Sequence, residues 1–122
     1  MKRNVVEFMR WERAPFVCSM ELKTTMSFIQ LVTISAKNEC RARILDLLAG
    51  IRDEAREREP GTRIYDIAIS KDDQNLIFVW EEYASEEAIQ AHRDGAICRD
   101  FLRERAELMT GPMKVQRADR LP

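Results

Sequence analysis

The chain has 122 residues, enough for one compact domain and too few for two of ordinary size. Apolar residues make up 45% and charged residues 34%, a mix that buries a core and stays dissolved, so disordered, collagen-like and coiled-coil readings fail. With 20 Lys and Arg against 21 Asp and Glu, the formal charge is -1, without the basic excess that drives nucleic-acid binding.

The longest charge-free run, Thr24 to Ala36, falls short of the roughly 18 apolar residues a membrane span needs. Glu7, Arg10, Glu12 and Arg13 interrupt any signal-peptide core after Lys2 and Arg3. The cysteines, Cys18, Cys40 and Cys98, are odd in number and lack metal-ligand or redox spacing, which fits free thiols in a reducing cytoplasm. His92 is the one histidine, too few good ligands for a transition metal and the only available axial ligand for a haem.

Residues 1–26 read as an extension: Val5, Val6, Phe8, Met9 and Trp11 are mixed with charges, and Pro15 ends any helix begun there. The domain is expected over 27–122. Phe28 to Ser35 is β-branched and apolar on both alternating sets, as in a strand covered on both sides. Asn38 and Glu39 open a helix in which Cys40, Ile44, Leu48, Ile51 and Ala55 recur at helical steps. Its charged end, Arg52 to Glu59, reads as a solvated face with a Glu54–Arg58 pair, stopped by Pro60-Gly61.

Arg63 to Ser70 and Leu76 to Tyr83 read as strands joined by the polar turn Lys71 to Asn75. Ser85 is an N-cap, with Glu86 and Glu87 in the first turn of a helix that runs to Arg93 and breaks at Asp94-Gly95. A third helix carries Ile97, Phe101 and Leu108 on one stripe, with Cys98, Leu102 and Met109 beside it. Gly111-Pro112 breaks it, and Met113 to Asp119 makes a final strand. The order β-α-β-β-α-α-β is an α+β, ferredoxin-like split βαβ arrangement with a four-stranded antiparallel sheet. Helices on one face leave the other face bare and apolar, so a homodimer with sheets packed together is expected.

The turn Glu59-Pro60-Gly61-x-x-x-Tyr65, the stretch Trp80-Glu81-Glu82-Tyr83-x-Ser85-Glu86-Glu87-Ala88, His92 and the order of elements together resemble the antibiotic biosynthesis monooxygenase domain family over residues 27–119. The resemblance implies a dimeric α+β barrel and, as in several members, oxidation of quinols or anthrones by O2 with no cofactor, neither metal nor flavin. The tail Glu107-Leu108-Met109-Thr110-Gly111-Pro112 is similar to the autoinducer-2-phosphate isomerases of the same family. Members commonly carry a second histidine five positions after the first, followed by an aromatic; here Ile97 and Cys98 stand there. The histidine of the haem-degrading branch has no counterpart between Phe101 and Leu108.

Cofactor-free oxygenation asks for an apolar pocket, a base and donors that hold the substrate oxyanion. His92 is the candidate base, because imidazole ordinarily titrates near working pH. Gln30, Tyr65, Trp80 and Tyr83 are candidate hydrogen-bond donors, and Cys98 and Phe101 candidate pocket walls. Each has a plain structural reading beside it: His92 as a packed helix residue, Trp80 as sheet or dimer packing, the tyrosines as anchored strand residues. Of Glu81 and Glu82, alternation turns one inward, as a base or as half of an ion pair across the dimer. Cys98 has no activating base near it except His92.

Two other functions fit these residues. An isomerase of a small phosphorylated dicarbonyl would use Arg63, Arg93 or Arg99 at the pocket mouth. A non-catalytic dimeric binding module would have its pocket filled by Trp80, Phe28 and Phe101.

Overall fold

The computed structural model describes residues 28–121. The expected extension 1–26 lies outside them, as do Ser27 and Pro122. Strand β1 spans Phe28–Ser35, helix α1 Arg41–Arg58, β2 Thr62–Ile69 and β3 Leu76–Tyr83. Helix α2 spans Glu86–Arg93, α3 Ala96–Leu108 and β4 Lys114–Ala118. A single 3-10 turn, Asn38–Cys40, precedes α1, so the helix itself starts three residues after its expected opening.

The sheet order is β2-β3-β1-β4 with every neighbouring pair antiparallel, the ferredoxin-like α+β topology. Hydrogen-bonded register sorts the side chains by face, because residues directly opposite each other point the same way. Gln30 pairs with Glu81, Val32 with Val79 and Ile34 with Ile77, and this set faces the helices. Ile29, Leu31 and Thr33, opposite Glu82, Trp80 and Phe78, form the other face.

The β2–β3 hairpin is closed by its own polar side chains. Ser70 Oγ accepts from the backbone N–H of Asp72 and Asp73, and Asp73 Oδ1 accepts from the N–H of Asn75. Ser85 caps α2, its Oγ accepting from the N–H of Ala88 at 3.1 Å. The expected Glu54–Arg58 pair does not form. Glu54 Oε1 instead accepts from the N–H of Ile97 at 3.2 Å, placing a carboxylate at the positive end of α3.

The core lies between the helix-side face of the sheet and α1 with α3: Val32, Ile34, Ile77 and Val79 meet Ile44, Leu48, Ile51 and Phe101. The end of α3 is tied to β1, since Lys37 N–H donates to the Leu108 carbonyl and Thr110 N–H to that of Ser35. On the uncovered face Phe78 and Trp80 are 40% and 43% exposed. Among the described residues, no helix is long and apolar enough to cross a membrane.

Candidate active site

A cavity of about 340 Å³ opens between the helix-side face of the sheet and all three helices. The sheet supplies Gln30 and Val32 from β1, Tyr65 from β2, Val79, Glu81 and Tyr83 from β3, and Val115 from β4. The helices supply Leu48 and Ile51, then Ile89, His92 and Arg93, then Cys98, Phe101, Leu102 and Arg105. Six expected site residues therefore converge on one cavity: Gln30, Tyr65, Tyr83, His92, Cys98 and Phe101.

Trp80 does not join them. It follows Val79 and precedes Glu81 on β3, and strand alternation turns it to the opposite face. Phe28 does not line the cavity either, so the filling by Trp80, Phe28 and Phe101 that a binding module would show is absent. Of the three candidate arginines, Arg93 lines the cavity, while Arg63 borders a separate hollow of about 150 Å³ beside Arg52 and Arg56. Arg99 lines neither. Arg105, which the sequence reading did not single out, does line the cavity.

His92 is buried on α2 between the two tyrosine rings, each 5.3 Å away centroid to centroid. Its Nδ1 lies 2.8 Å from Glu59 Oε1, with only 6% and 8% of the two side chains exposed. The same oxygen accepts from Thr62 Oγ1 at 2.8 Å. A carboxylate oxygen holds the proton on Nδ1 and leaves Nε2 as the nitrogen with a free lone pair. Glu59 belongs to the run read as a solvated face; the end of α1 turns it inward instead. Gly95 makes room for this approach, since a Cβ there would lie 3.0 Å from Glu54 Oε1 and 3.3 Å from Glu59 Oε2.

A second polar group sits on the sheet. Glu81 Oε1 accepts from Gln30 Nε2 at 3.0 Å and from Tyr83 Oη at 2.6 Å, all three residues buried. Glu82 points the other way, where Arg120 meets its Oε1. Burial, and next the Glu81 carboxylate, hold the Tyr65 and Tyr83 phenols well above their ordinary range. Both therefore stay protonated at neutral pH and act as O–H donors, not bases. Burial, with Glu81 and Glu59 nearby, pushes the Cys98 thiol up to about 12 against a weaker opposing pull from Arg93. A thiol held that high is a wall of the cavity, not a nucleophile. Ile97, at the place of the family's common second histidine, packs on α1: its Cδ1 would lie 3.1 Å from a Cβ on Gly50. No group of three His, Cys, Asp or Glu able to hold a metal ion occurs among the described residues.

The family described as antibiotic biosynthesis monooxygenase matches residues 27–104, well over half of the chain. No curated protein matches it in sequence. Among solved structures, Rv0793 from Mycobacterium tuberculosis is 24% identical with a TM-score of 0.72, covering 79% of this chain and 96% of its own. PA3566 from Pseudomonas aeruginosa is 20% identical with a TM-score of 0.74, covering 81% and 98%. A third structure, described as an antibiotic biosynthesis monooxygenase, is 18% identical with a TM-score of 0.70, covering 78% and 99%. At such identities the structures establish a shared fold, and the family match carries membership. The chain belongs to the antibiotic biosynthesis monooxygenase domain family.

Proposed function

We propose that the cavity takes a flat aromatic quinol or anthrone and that the protein promotes its oxidation by O2 without metal or flavin. The carrying observation is the buried Glu59–His92 pair, whose His92 stands on the wall of a largely apolar cavity. His92 Nε2 removes the acidic proton of the substrate, and Glu59 stabilises the imidazolium so formed. The electron-rich carbanion then reduces O2 itself. For an anthrone the sum balances: the ring methylene and one O2 become a ring carbonyl and one water. One oxygen atom enters the product, and the other leaves with both methylene hydrogens. The neutral O–H groups of Tyr65 and Tyr83 lie on the sheet side of the same cavity, where Tyr65 is suited to donate to an oxyanion. The volume suits such a substrate, because a dry cavity of about 150 Å³ already accepts benzene.

The working unit in this reading is a homodimer joined through the uncovered sheet face. Its support is the exposed Phe78 and Trp80 on that face. A second chemistry, enolisation of a phosphorylated dicarbonyl, draws on Arg93 and Arg105 at the same cavity.

The deciding experiment is O2 consumption by chelator-treated protein with a panel of anthrones and hydroquinones, spontaneous autoxidation subtracted. Protein-dependent uptake that His92→Ala abolishes supports the oxygenase. No uptake across the panel overturns it. Deuterium exchange into a phosphorylated dicarbonyl then tests the enolisation chemistry.

A further inference from the structure

The cavity carries two polar features that proton removal by His92 leaves unused. The first is a pair of acceptors on the sheet. Gln30 is 5% exposed and its Oε1 is buried with no hydrogen-bond donor. Its Nε2 is committed to Glu81 Oε1, and turning the amide over would set a carbonyl oxygen against a carboxylate oxygen. Glu81 Oε1 already takes two donors, whereas no donor among the described residues reaches Oε2. A buried acceptor without a donor is costly, and a carboxylate oxygen open to the cavity is satisfied only by a group that donates. A ligand carbonyl or phosphate oxygen against these two acceptor atoms would meet lone pairs, whereas a hydroxyl would donate to them.

The second feature lies at the solvent side of the cavity. Arg93 is exposed and Arg105 half-buried, and both line the opening. Among the described residues neither forms an ion pair. Two guanidinium groups without carboxylates at the rim of an apolar cavity suit a planar anion.

From these two features we infer that the ligand is an aromatic acid with a free hydroxyl, the hydroxyl held by Glu81 and Gln30 and the carboxylate by Arg93 and Arg105. The inference rests on the aromatic-substrate reading above and adds the substituents and their placement. Two or more fused rings suit the volume, about twice that of a cavity that accepts benzene. Glu81 and Gln30 bind the ligand, and His92 keeps the proton chemistry.

Equilibrium binding of three probes, followed by calorimetry, tests this without turnover: 6-hydroxy-2-naphthoate, 6-methoxy-2-naphthoate and 2-naphthol. The hydroxy acid is expected to bind at least about tenfold tighter than either comparator. Glu81→Gln, which offers an amide N–H where a lone pair stood, should erase the preference for hydroxyl over methoxy. The double change Arg93→Ala and Arg105→Ala should erase the preference for the acid over 2-naphthol. Comparators that bind as tightly as the hydroxy acid, or no binding by any probe, overturn the inference. So do preferences that survive both sets of substitutions. The outcome separates cleanly from the oxygenase test. O2 uptake without these preferences leaves the oxygenase and removes the assigned substituents, whereas the preferences without uptake of any quinol do the reverse.

Discussion

Glu59 Oε1 lies 2.8 Å from His92 Nδ1, although 33 positions separate the two residues. The contact joins the end of α1 to the last turn of α2, and Thr62 Oγ1 fixes the carboxylate from a third side. An imidazole held this way is set in one tautomer and one orientation, which is what a base on a cavity wall requires.

Glu59→Gln keeps the volume but lets an amide N–H face Nδ1 and favour the other tautomer. We expect kcat for O2-dependent turnover to fall about 10- to 100-fold with KM nearly constant, as for other residues that orient a functional imidazole. Steady-state kinetics on a substrate identified from the panel is the check. An unchanged kcat would remove Glu59 from the mechanism and leave it a structural acid.

The elements were legible from their local patterns: β-branched apolar runs bounded by polar turns in the strands, 3- and 4-residue steps in α1 and α3, Ser85 before α2. Glu59 was not, because a carboxylate in the run Arg52 to Glu59 looks the same whether it faces water or turns inward at the helix end. Trp80 illustrates a signal that was present. Trp80 and Tyr83 lie three apart on one strand, so alternation never places both on one cavity wall. Which of Glu81 and Glu82 faces the helices became clear only from the register that sets Gln30 opposite Glu81.

Gly61 sits where β2 begins beneath α2. A Cβ there would lie 2.6 Å from the Cβ of Ala88, closer than such atoms approach, so one of the two elements has to move. Gly61→Ala is expected to cost about 1–3 kcal/mol of stability, the usual range for overpacking. Chemical denaturation reads this directly. Pairing it with Ala88→Gly should recover most of the loss, and a failure to do so would show that the close approach to Ala88 is not its cause.

Phe78 and Trp80 form the apolar centre of the uncovered face, with Leu31 beside Trp80 in register. If two sheets pack there, Phe78→Lys with Trp80→Lys places like charges against each other across the two-fold axis. The dimer dissociation constant should rise at least about 100-fold with the monomer fold kept, measured by analytical ultracentrifugation and circular dichroism. A wild-type protein that sediments as a monomer at all concentrations would end the dimer reading.

The same burial that holds protons on Cys98, Tyr65 and Tyr83 makes the fold sensitive to alkali. Each group binds its proton more tightly folded than unfolded, so above the ordinary pKa of the group the native state carries more protons than the unfolded one. Stability then falls as pH rises, by up to about 1.4 kcal/mol per pH unit for each such group. For Cys98 the window opens near its ordinary value of 9.0 and closes near 12; the tyrosines add theirs from about 10 upward. Below the first of these values the three groups contribute no slope. Denaturation series from pH 7 to 11 should therefore show a steepening loss of stability above 9. Cys98→Ala removes the earliest part of that slope. A Cys98→Ala protein with the same alkaline slope as wild type would show that Cys98 does not titrate as its surroundings require.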